Sequence, residues 1–137
     1  MNPAEVRGFG TRYAAAWCSQ SAAGVAEFYE EKGSLQINSG APSVGRVAIA
    51  AVAQSFMTAF PDMVVSLDEV SMHGNAAIFR WTLVGTNTGP SGTGKPVRIS
   101  GYEEWKFGEN GLICESKGHF DEAEYQRQLN EAGGPLI

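Results

Sequence analysis

The chain has 137 residues, 43 % of them hydrophobic and 18 % charged, which is typical of one globular domain with its own core. Its net charge is −5 and its Lys and Arg residues form no cluster, which argues against nucleic acid and anionic membranes as partners. No apolar run approaches the roughly 20 residues of a membrane helix, and the start of the chain lacks a signal-peptide pattern. We therefore expect a single domain over residues 1–137.

The first predicted element is a helix that begins at the N-terminus. Asn2 offers a capping side chain, Pro3 suits the first helical position, and Glu5 lies near the positive end of the helix dipole. Apolar residues then recur at helical spacing: Phe9, Tyr13, Ala16 and Trp17. The pattern predicts a helix that extends to about Trp17 or Cys18.

Two more helices and a strand follow in the N-terminal half. Ser21 is a suitable cap for a second, shorter helix, and Gly33 is expected to close it. Alternation over residues 34–38 predicts a strand with one polar face. A third helix is expected from about Gly45 to Phe60, where a proline follows and ends it.

The remainder of the chain has the period of strands. The predicted strands are residues 63–72, 76–86, 96–107 and 112–120, with a Gly-rich loop over 87–95. Asp121 or Glu122 is expected to open a short last helix through about Asn130, and the glycines near residue 133 to begin a loose tail.

This order of elements predicts an α+β fold. A strongly curved antiparallel sheet would wrap on three N-terminal helices, with a short C-terminal helix, and form a cone. The open end of such a cone is the natural ligand site.

Cys18 and Cys114 lie far apart and match no Cys-x-x-Cys pattern. We interpret them as reduced core thiols, which favours a cytoplasmic location over an oxidising compartment. No spacing of His, Cys or carboxylate residues matches a metal-site template, so we expect neither metal nor cofactor.

Glu103 is the first candidate for acid–base chemistry. It alternates with Trp105 and Phe107, so it is expected to share their face of a strand. If that face looks into the cone, an apolar surrounding would raise the pKa of the carboxyl and suit a general acid or base. The alternatives are an ion pair with Arg80 or Arg98, or a strand bulge that exchanges Glu103 and Glu104.

His119 and Asp121 are the second candidate pair. Two residues apart at a strand end, they can share one face, and a nearby carboxylate tunes an imidazole across neutral pH. The alternative is that Asp121 caps the last helix and His119 is an edge residue.

Several side chains are candidates for ligand contact. Gln36 and Asn38 offer neutral hydrogen bonds to a carbonyl or enolate oxygen, unless they belong to a solvated strand face. An aromatic set serves either the core or a pocket for a flat ring: Tyr13, Trp17, Tyr29, Phe56, Phe60, Trp81, Tyr102 and Trp105.

An ordered series of short motifs runs through the chain. These are Gly45 to Ile49, Phe60 to Asp62, Gly85 to Gly89, Thr93 to Lys95, Gly101 to Glu103, Asn110 to Ile113, and Asp121. In this order they resemble the SnoaL-like (polyketide cyclase or ester cyclase) family of the nuclear transport factor 2-like superfamily. The resemblance implies the cone-shaped fold, a homodimer, and acid–base catalysis without a cofactor.

The chain departs from the family pattern at three positions. Asn87 replaces the turn histidine, Glu103 stands at a position that is often aspartate, and Gly118 falls where the family often carries an acid. Asp121 or Glu103, assisted by His119, would then be the catalytic acid or base, with Tyr102, Asn38 or Gln36 binding the oxygen.

Three functional hypotheses follow from the resemblance. The first is a cofactor-independent cyclase, isomerase or hydrolase acting on a small hydrophobic or aromatic compound. The second is a non-catalytic ligand-binding or dimerisation module, which the glycine at position 118 favours. The third is a scaffold for a partner protein.

Overall fold

The computed structural model describes residues 2–130. The elements in chain order are α1 (Pro3–Cys18), α2 (Ala22–Ala26), β1 (Tyr29–Ile37), β2 (Ser43–Val44), α3 (Arg46–Ala59), β3 (Val64–His73), β4 (Ala76–Thr86), β5 (Pro96–Phe107), β6 (Ile113–Phe120) and α4 (Glu122–Asn130). This order confirms the predicted α+β class. The predicted loose tail lies outside the described residues.

The strands form one curved, open sheet in the order β2-β1-β6-β5-β4-β3. Strands β3 to β6 make an antiparallel meander, and β2 pairs antiparallel with β1 at the edge. The expected antiparallel character has one exception, because β1 runs parallel to β6. The long connection between β1 and β6, which contains β2, α3 and strands β3 to β5, allows this parallel pairing.

Helix α1 begins with the predicted capping arrangement. The Glu5 backbone N–H donates to the Asn2 side chain at 2.8 Å, and the Asn2 backbone N–H donates to the Glu5 carboxylate at 2.9 Å. This capping box satisfies two of the helix's unpaired N–H groups. It also fixes the start of the helix that carries Tyr13 and Trp17 to the inner side of the sheet.

The predicted boundary between α2 and β1 was wrong. Helix α2 ends at Ala26, and Gly33 lies inside β1 rather than at a helix end. Tyr29 is fully buried and pairs with Ile113, so tertiary packing draws this segment into the sheet. A Cβ at Gly33 would lie 2.9 Å from the Ile113 carbonyl oxygen, so only glycine allows β6 this close.

An aromatic cluster joins α1 to the inner face of β4 and β5. The rings of Phe79 and Trp105 stack with centroids 4.9 Å apart, and Tyr13 meets Trp105 edge-on at 5.1 Å. All three side chains are buried. The cluster fixes the position of α1 against the sheet and so defines one end of the internal space.

Over residues 2–130, none of the helices has the length and apolar character needed to cross a bilayer.

Candidate functional site: a cavity floored by Glu103

A cavity of about 50 Å³ lies on the inner side of the sheet. Residues from α1, α3, α4 and five strands line it: Trp17, Ile37, Phe56, Val65, Phe79, Trp81, Leu83, Ile99, Glu103, Gly118, Phe120 and Tyr125. The volume is enough for a few water molecules, at roughly 10–15 Å³ each. A ring-sized ligand therefore needs a wall to move outward.

Glu103 reaches the cavity because β5 alternates strictly. Val97, Ile99, Glu103, Trp105 and Phe107 are buried on the inner face, whereas the residues between them are more exposed. The predicted inward orientation of Glu103 is thus what the structure shows, and its side chain is 7 % exposed. It forms neither of the alternative ion pairs: Arg80 contacts Glu69, and the Arg98 backbone contacts Gln128.

One oxygen of the Glu103 carboxyl accepts most of its hydrogen bonds. Oε1 accepts from Ser116 Oγ at 2.7 Å, from Trp105 Nε1 at 2.8 Å and from the Tyr13 hydroxyl at 3.0 Å. The Tyr29 hydroxyl lies at 3.5 Å. Among the described residues, Oε2 has one contact, the Tyr13 hydroxyl at 3.3 Å. Oε1 is therefore saturated, and Oε2 is the oxygen that can accept a further hydrogen bond.

The protonation state of Glu103 is set by two opposed effects. Burial raises the pKa of the carboxyl, and the hydrogen bonds from Ser116, Trp105, Tyr13 and Tyr29 lower it; burial is the larger effect, so the pKa is raised. Because Oε1 already accepts its full set of bonds, a proton on this group belongs on Oε2.

Tyr13 and Tyr29 support the carboxyl as neutral donors. Their hydroxyls lie 2.8 Å apart. Burial, and then the charge of Glu103, raise the pKa of both hydroxyls well above the usual value, so both remain protonated at neutral pH. A neutral phenol can donate to Glu103, whereas a phenolate would repel it.

The indole N–H of Trp17 has no hydrogen-bond acceptor. It is buried, and the side chain as a whole is 8 % exposed. The Trp17 ring packs edge-on against Tyr13, and this neighbour lowers the pKa of the Tyr13 hydroxyl against the larger effect of burial, which raises it. Trp17 and Glu103 both line the cavity, and Tyr13 contacts both of them.

His119 lies on the opposite face of the sheet from Glu103. Its ring stacks on Tyr102 with centroids 4.7 Å apart, and its Nε2 lies 2.7 Å from Glu104 Oε1. Because Tyr102 and Glu104 alternate with Glu103 along β5, all three of these groups point away from the cavity. The expected partnership of His119 with Glu103 was therefore wrong, as was the contact of Tyr102 with the cone.

Asp121 adopts the alternative predicted for it. It is exposed, and its Oδ1 accepts the backbone N–H of Glu124 at 3.0 Å, which caps the start of α4. The expected pairing of Asp121 with His119 is not formed, because His119 is bound to Glu104.

The side chains of Gln36 and Asn38 form hydrogen bonds with neighbouring segments of the chain and do not reach the cavity. Gln36 donates to the Gly40 carbonyl at 3.0 Å. Asn38 accepts the Phe120 backbone N–H at 2.9 Å and donates to Glu122 at 3.4 Å. Neither lines the cavity, so their predicted contact with a ligand there was wrong.

The other predicted ligand residues divide into three groups. Trp17 and Phe56 line the cavity. Tyr29 and Trp105 are buried behind it and contact Glu103. Phe60 is fully buried and lies next to Tyr125, with ring centroids 6.4 Å apart.

Some site residues were missed by the sequence reasoning. Ser116, Gly118 and Phe120 share the inner face of β6, and their spacing of two residues could have revealed that. Tyr125 of α4 lines the cavity, and no sequence signal marks it. Among residues 2–130, no group of three or more His, Cys, Asp or Glu side chains is placed to hold a metal ion.

Helix α4 covers one side of the cavity and is held by few contacts. Strand β6 ends at Phe120, opposite Gly101, so Arg98 of β5 lies beyond it. The Gln128 side chain takes the place of a strand partner there: it accepts the Arg98 N–H at 2.7 Å and donates to the Arg98 carbonyl at 2.9 Å. None of the α4 residues is fully buried.

A helix-backed curved sheet that encloses an apolar cavity with a buried carboxyl defines a cone-shaped α+β protein of the NTF2-like fold. The sequence profile of the SnoaL-like domain matches residues 11–116, and the chain belongs to that family. The fold of this family is associated with polyketide cyclase and isomerase functions. No curated protein matches the chain significantly.

Solved structures share this fold at low sequence identity. TsrD from Streptomyces laurentii has a TM-score of 0.81 at 17 % identity, covering 95 % of this chain and 98 % of that one. A hypothetical protein with the ketosteroid isomerase-like fold from Catenulispora acidiphila, in complex with trimethylamine, has a TM-score of 0.78 at 15 % identity, covering 94 % of both chains. A Jannaschia protein provisionally described as a SnoaL-like polyketide cyclase has 0.73 at 14 %, covering 93 % and 94 %.

Proposed function

We propose that the chain binds a small hydrophobic or aromatic carbonyl compound in the cavity and moves a proton on it through Glu103, without a cofactor. The observation that carries this proposal is the uneven bonding of the Glu103 carboxyl. Donors fix Oε1, and Oε2 remains for a ligand. A raised carboxyl pKa brings such a group nearer the pH at which it can both take and give a proton.

The proton balance of the proposed step is simple. The Glu103 carboxylate takes a proton from the carbon next to the carbonyl group, and the electron pair moves into an enolate. The neutral carboxyl then returns a proton. Return to the same carbon gives only hydrogen exchange, whereas return to the far carbon of a conjugated enolate moves the double bond, which is an isomerisation. Since Oε1 is held by Ser116 and Trp105, the carboxyl keeps one orientation throughout.

Deuterium exchange into cyclopentanone tests this proposal without knowledge of the natural substrate. In D2O, the native protein should accelerate loss of the hydrogens next to the carbonyl group, followed by NMR. Glu103→Gln should lose that acceleration by about 10²- to 10⁴-fold, the usual contribution of a general base. Glu104→Gln is the matched control, because the neighbouring carboxylate lies on the outer face and should leave the rate unchanged.

Two results would contradict the proposed catalysis. One is a native protein that gives no acceleration over buffer. The other is a Glu103→Gln variant whose exchange rate equals that of Glu104→Gln, since proton transfer would then not depend on the buried carboxyl.

A second candidate function is ligand binding without turnover. Gly118 lies opposite Glu103 in the β5–β6 register, so this part of the wall carries no second acid. Binding of cyclopentanone with no accelerated exchange would favour this function over the first.

We also propose a homodimer formed through the outer face of the sheet. Val64 and Val84 are register partners there and are 53 % and 41 % exposed. Sedimentation equilibrium gives the mass that tests it.

The free thiols of Cys18 and Cys114 support the proposal of a reducing, cytoplasmic location.

A further inference from the structure

Trp17 has a role in the cavity that its packing does not explain. Buried N–H groups almost always have an acceptor, so an unpaired indole N–H in a cavity wall is a donor without its partner. The Trp17 ring packs edge-on against Tyr13 at 6.3 Å and Phe56 at 6.1 Å between centroids. These contacts use the ring and would be equally available to a phenylalanine.

The position of this donor relates it to Glu103. The Trp17 ring packs edge-on against Tyr13, and the Tyr13 hydroxyl contacts both oxygens of the Glu103 carboxyl. Trp17 and Glu103 therefore line the same cavity, with Tyr13 in contact with both. A ligand that reaches Oε2 also comes near an unused donor.

The lining of the cavity restricts the charge of that ligand. Among the described residues that line it, none is Lys, Arg or His, and Glu103 would repel an anion whenever it is ionised. A methylated ammonium ion suits aromatic walls and a carboxylate, but it has no acceptor and would leave the Trp17 N–H unpaired. A neutral ligand with an oxygen acceptor can pair with the Trp17 N–H and also lie next to the Glu103 carboxyl.

We propose that Trp17 donates its indole N–H to the carbonyl oxygen of a neutral ligand whose adjacent carbon faces Glu103 Oε2. This inference rests on the proposed function and adds the residue that binds the carbonyl oxygen. When the proton leaves the carbon, charge develops on the oxygen, and a donor fixed in a dry cavity stabilises that charge more than water does. Trp17 thereby selects the substrate by its oxygen.

The test compares two ligands of nearly the same shape. Cyclopentanone has the oxygen, and methylenecyclopentane has a CH2 group in its place. Each is titrated into ¹⁵N-labelled native protein, and the indole N–H signals are followed by NMR. The Trp17 signal is assigned with Trp17→Phe, which keeps an aromatic ring. Tyr102→Phe is the matched control, since it also removes one donor from an aromatic side chain but lies on the outer face of the sheet. Tetramethylammonium is the third probe.

The expected result is a downfield shift of the Trp17 indole proton with cyclopentanone alone. The native protein should prefer cyclopentanone over methylenecyclopentane by about 2- to 10-fold, the usual effect of one neutral hydrogen bond. Trp17→Phe should lose this preference, whereas Tyr102→Phe should keep it. The indole signal of the native protein gives an answer even if Trp17→Phe does not fold.

Three results would overturn the inference in different ways. Equal binding of the two ring compounds, with no shift of the Trp17 signal, would refute the role of Trp17 and leave ligand binding in place. Tighter binding of tetramethylammonium would assign the cavity to cations. No binding of any probe to the native protein would refute the proposed function together with this inference.

Discussion

The Tyr13 hydroxyl lies 3.0 Å from Oε1 and 3.3 Å from Oε2 of Glu103, and so joins the first helix to the middle of the sheet. Ninety positions separate the two residues in the chain. The contact lies at the inner end of the cavity, where it limits the freedom of the carboxyl and lowers its pKa against the larger effect of burial. Substitutions at either end of this contact are therefore expected to change both stability and protonation.

Glu103→Gln should change how stability depends on pH. The pKa of Glu103 is raised in the folded state above its ordinary value of 4.5, so the folded state holds the proton more tightly. The favourable contribution is complete below about pH 4.5 and is lost as pH rises through the raised folded pKa. The native protein should therefore lose stability relative to Glu103→Gln over this range, by about 1.4 kcal/mol per unit of pKa difference.

Urea denaturation measures the difference in unfolding free energy between the native protein and Glu103→Gln. It is repeated across pH 4 to 9, roughly the range in which carboxyls with a raised pKa titrate. Glu109→Gln is the control, because Glu109 is exposed and its difference from the native protein should stay nearly constant. A difference between native protein and Glu103→Gln that does not change with pH would show that Glu103 titrates normally.

Tyr13→Phe should destabilise the protein and raise the pKa of Glu103 further. The substitution keeps the ring in the aromatic cluster but removes a donor that lowers the carboxyl pKa. We expect a loss of about 1.5–3 kcal/mol, the range for hydrogen bonds to charged groups. Carboxyl ¹³C NMR of labelled glutamate gives the pKa directly, and urea denaturation gives the stability.

Tyr29→Phe is the matched comparison for that experiment. The Tyr29 hydroxyl lies farther from Oε1, at 3.5 Å, so its removal should shift the Glu103 pKa less. If both variants leave that pKa where it is in the native protein, the tyrosine hydroxyls do not control the carboxyl.

Gln128→Ala should loosen α4 from the side of the cavity. The variant removes both hydrogen bonds to the Arg98 backbone, and the Arg98 amide should then exchange with solvent faster. We expect a stability loss of about 1–2 kcal/mol for two neutral hydrogen bonds. Hydrogen exchange followed by NMR reports on Arg98 and, for reference, on amides of the aromatic cluster, which should not change.

Gln126→Ala provides the control for α4. The Gln126 side chain is exposed and contacts Glu122 within the same helix, so its loss should leave Arg98 protected. Unchanged exchange at Arg98 in Gln128→Ala would mean that other contacts hold α4, foremost those of Tyr125 with Phe120 and Phe60.

Local patterns in the sequence predicted the fold well and the site in part. The period of β5 correctly placed Glu103 on the inner face, because alternation is a property of the strand itself. The end of α2 was mispredicted because residues 29–33 are drawn into the sheet by pairing with β6, which no local pattern records. The spacing of His119 and Asp121 gave no information about Glu104, which pairs with His119 from a neighbouring strand. The bonds from Tyr13 and Ser116 to Glu103 depend on tertiary packing and could not be read from spacing.

The distant origins of the cavity walls in the sequence have a consequence for how the protein folds during synthesis. The cavity combines Trp17 of α1 with Glu103 of β5 and Gly118 of β6, so its walls come from both ends of the chain. Contacts of such long sequence separation form late and slowly, because closing a long loop costs entropy before any contact compensates for it. During synthesis, the hydroxyls of Tyr13 and Tyr29 emerge well before their carboxyl partner. A nascent chain that ends before β5 therefore lacks Glu103, and the cavity is complete only after β6 and α4 have been made.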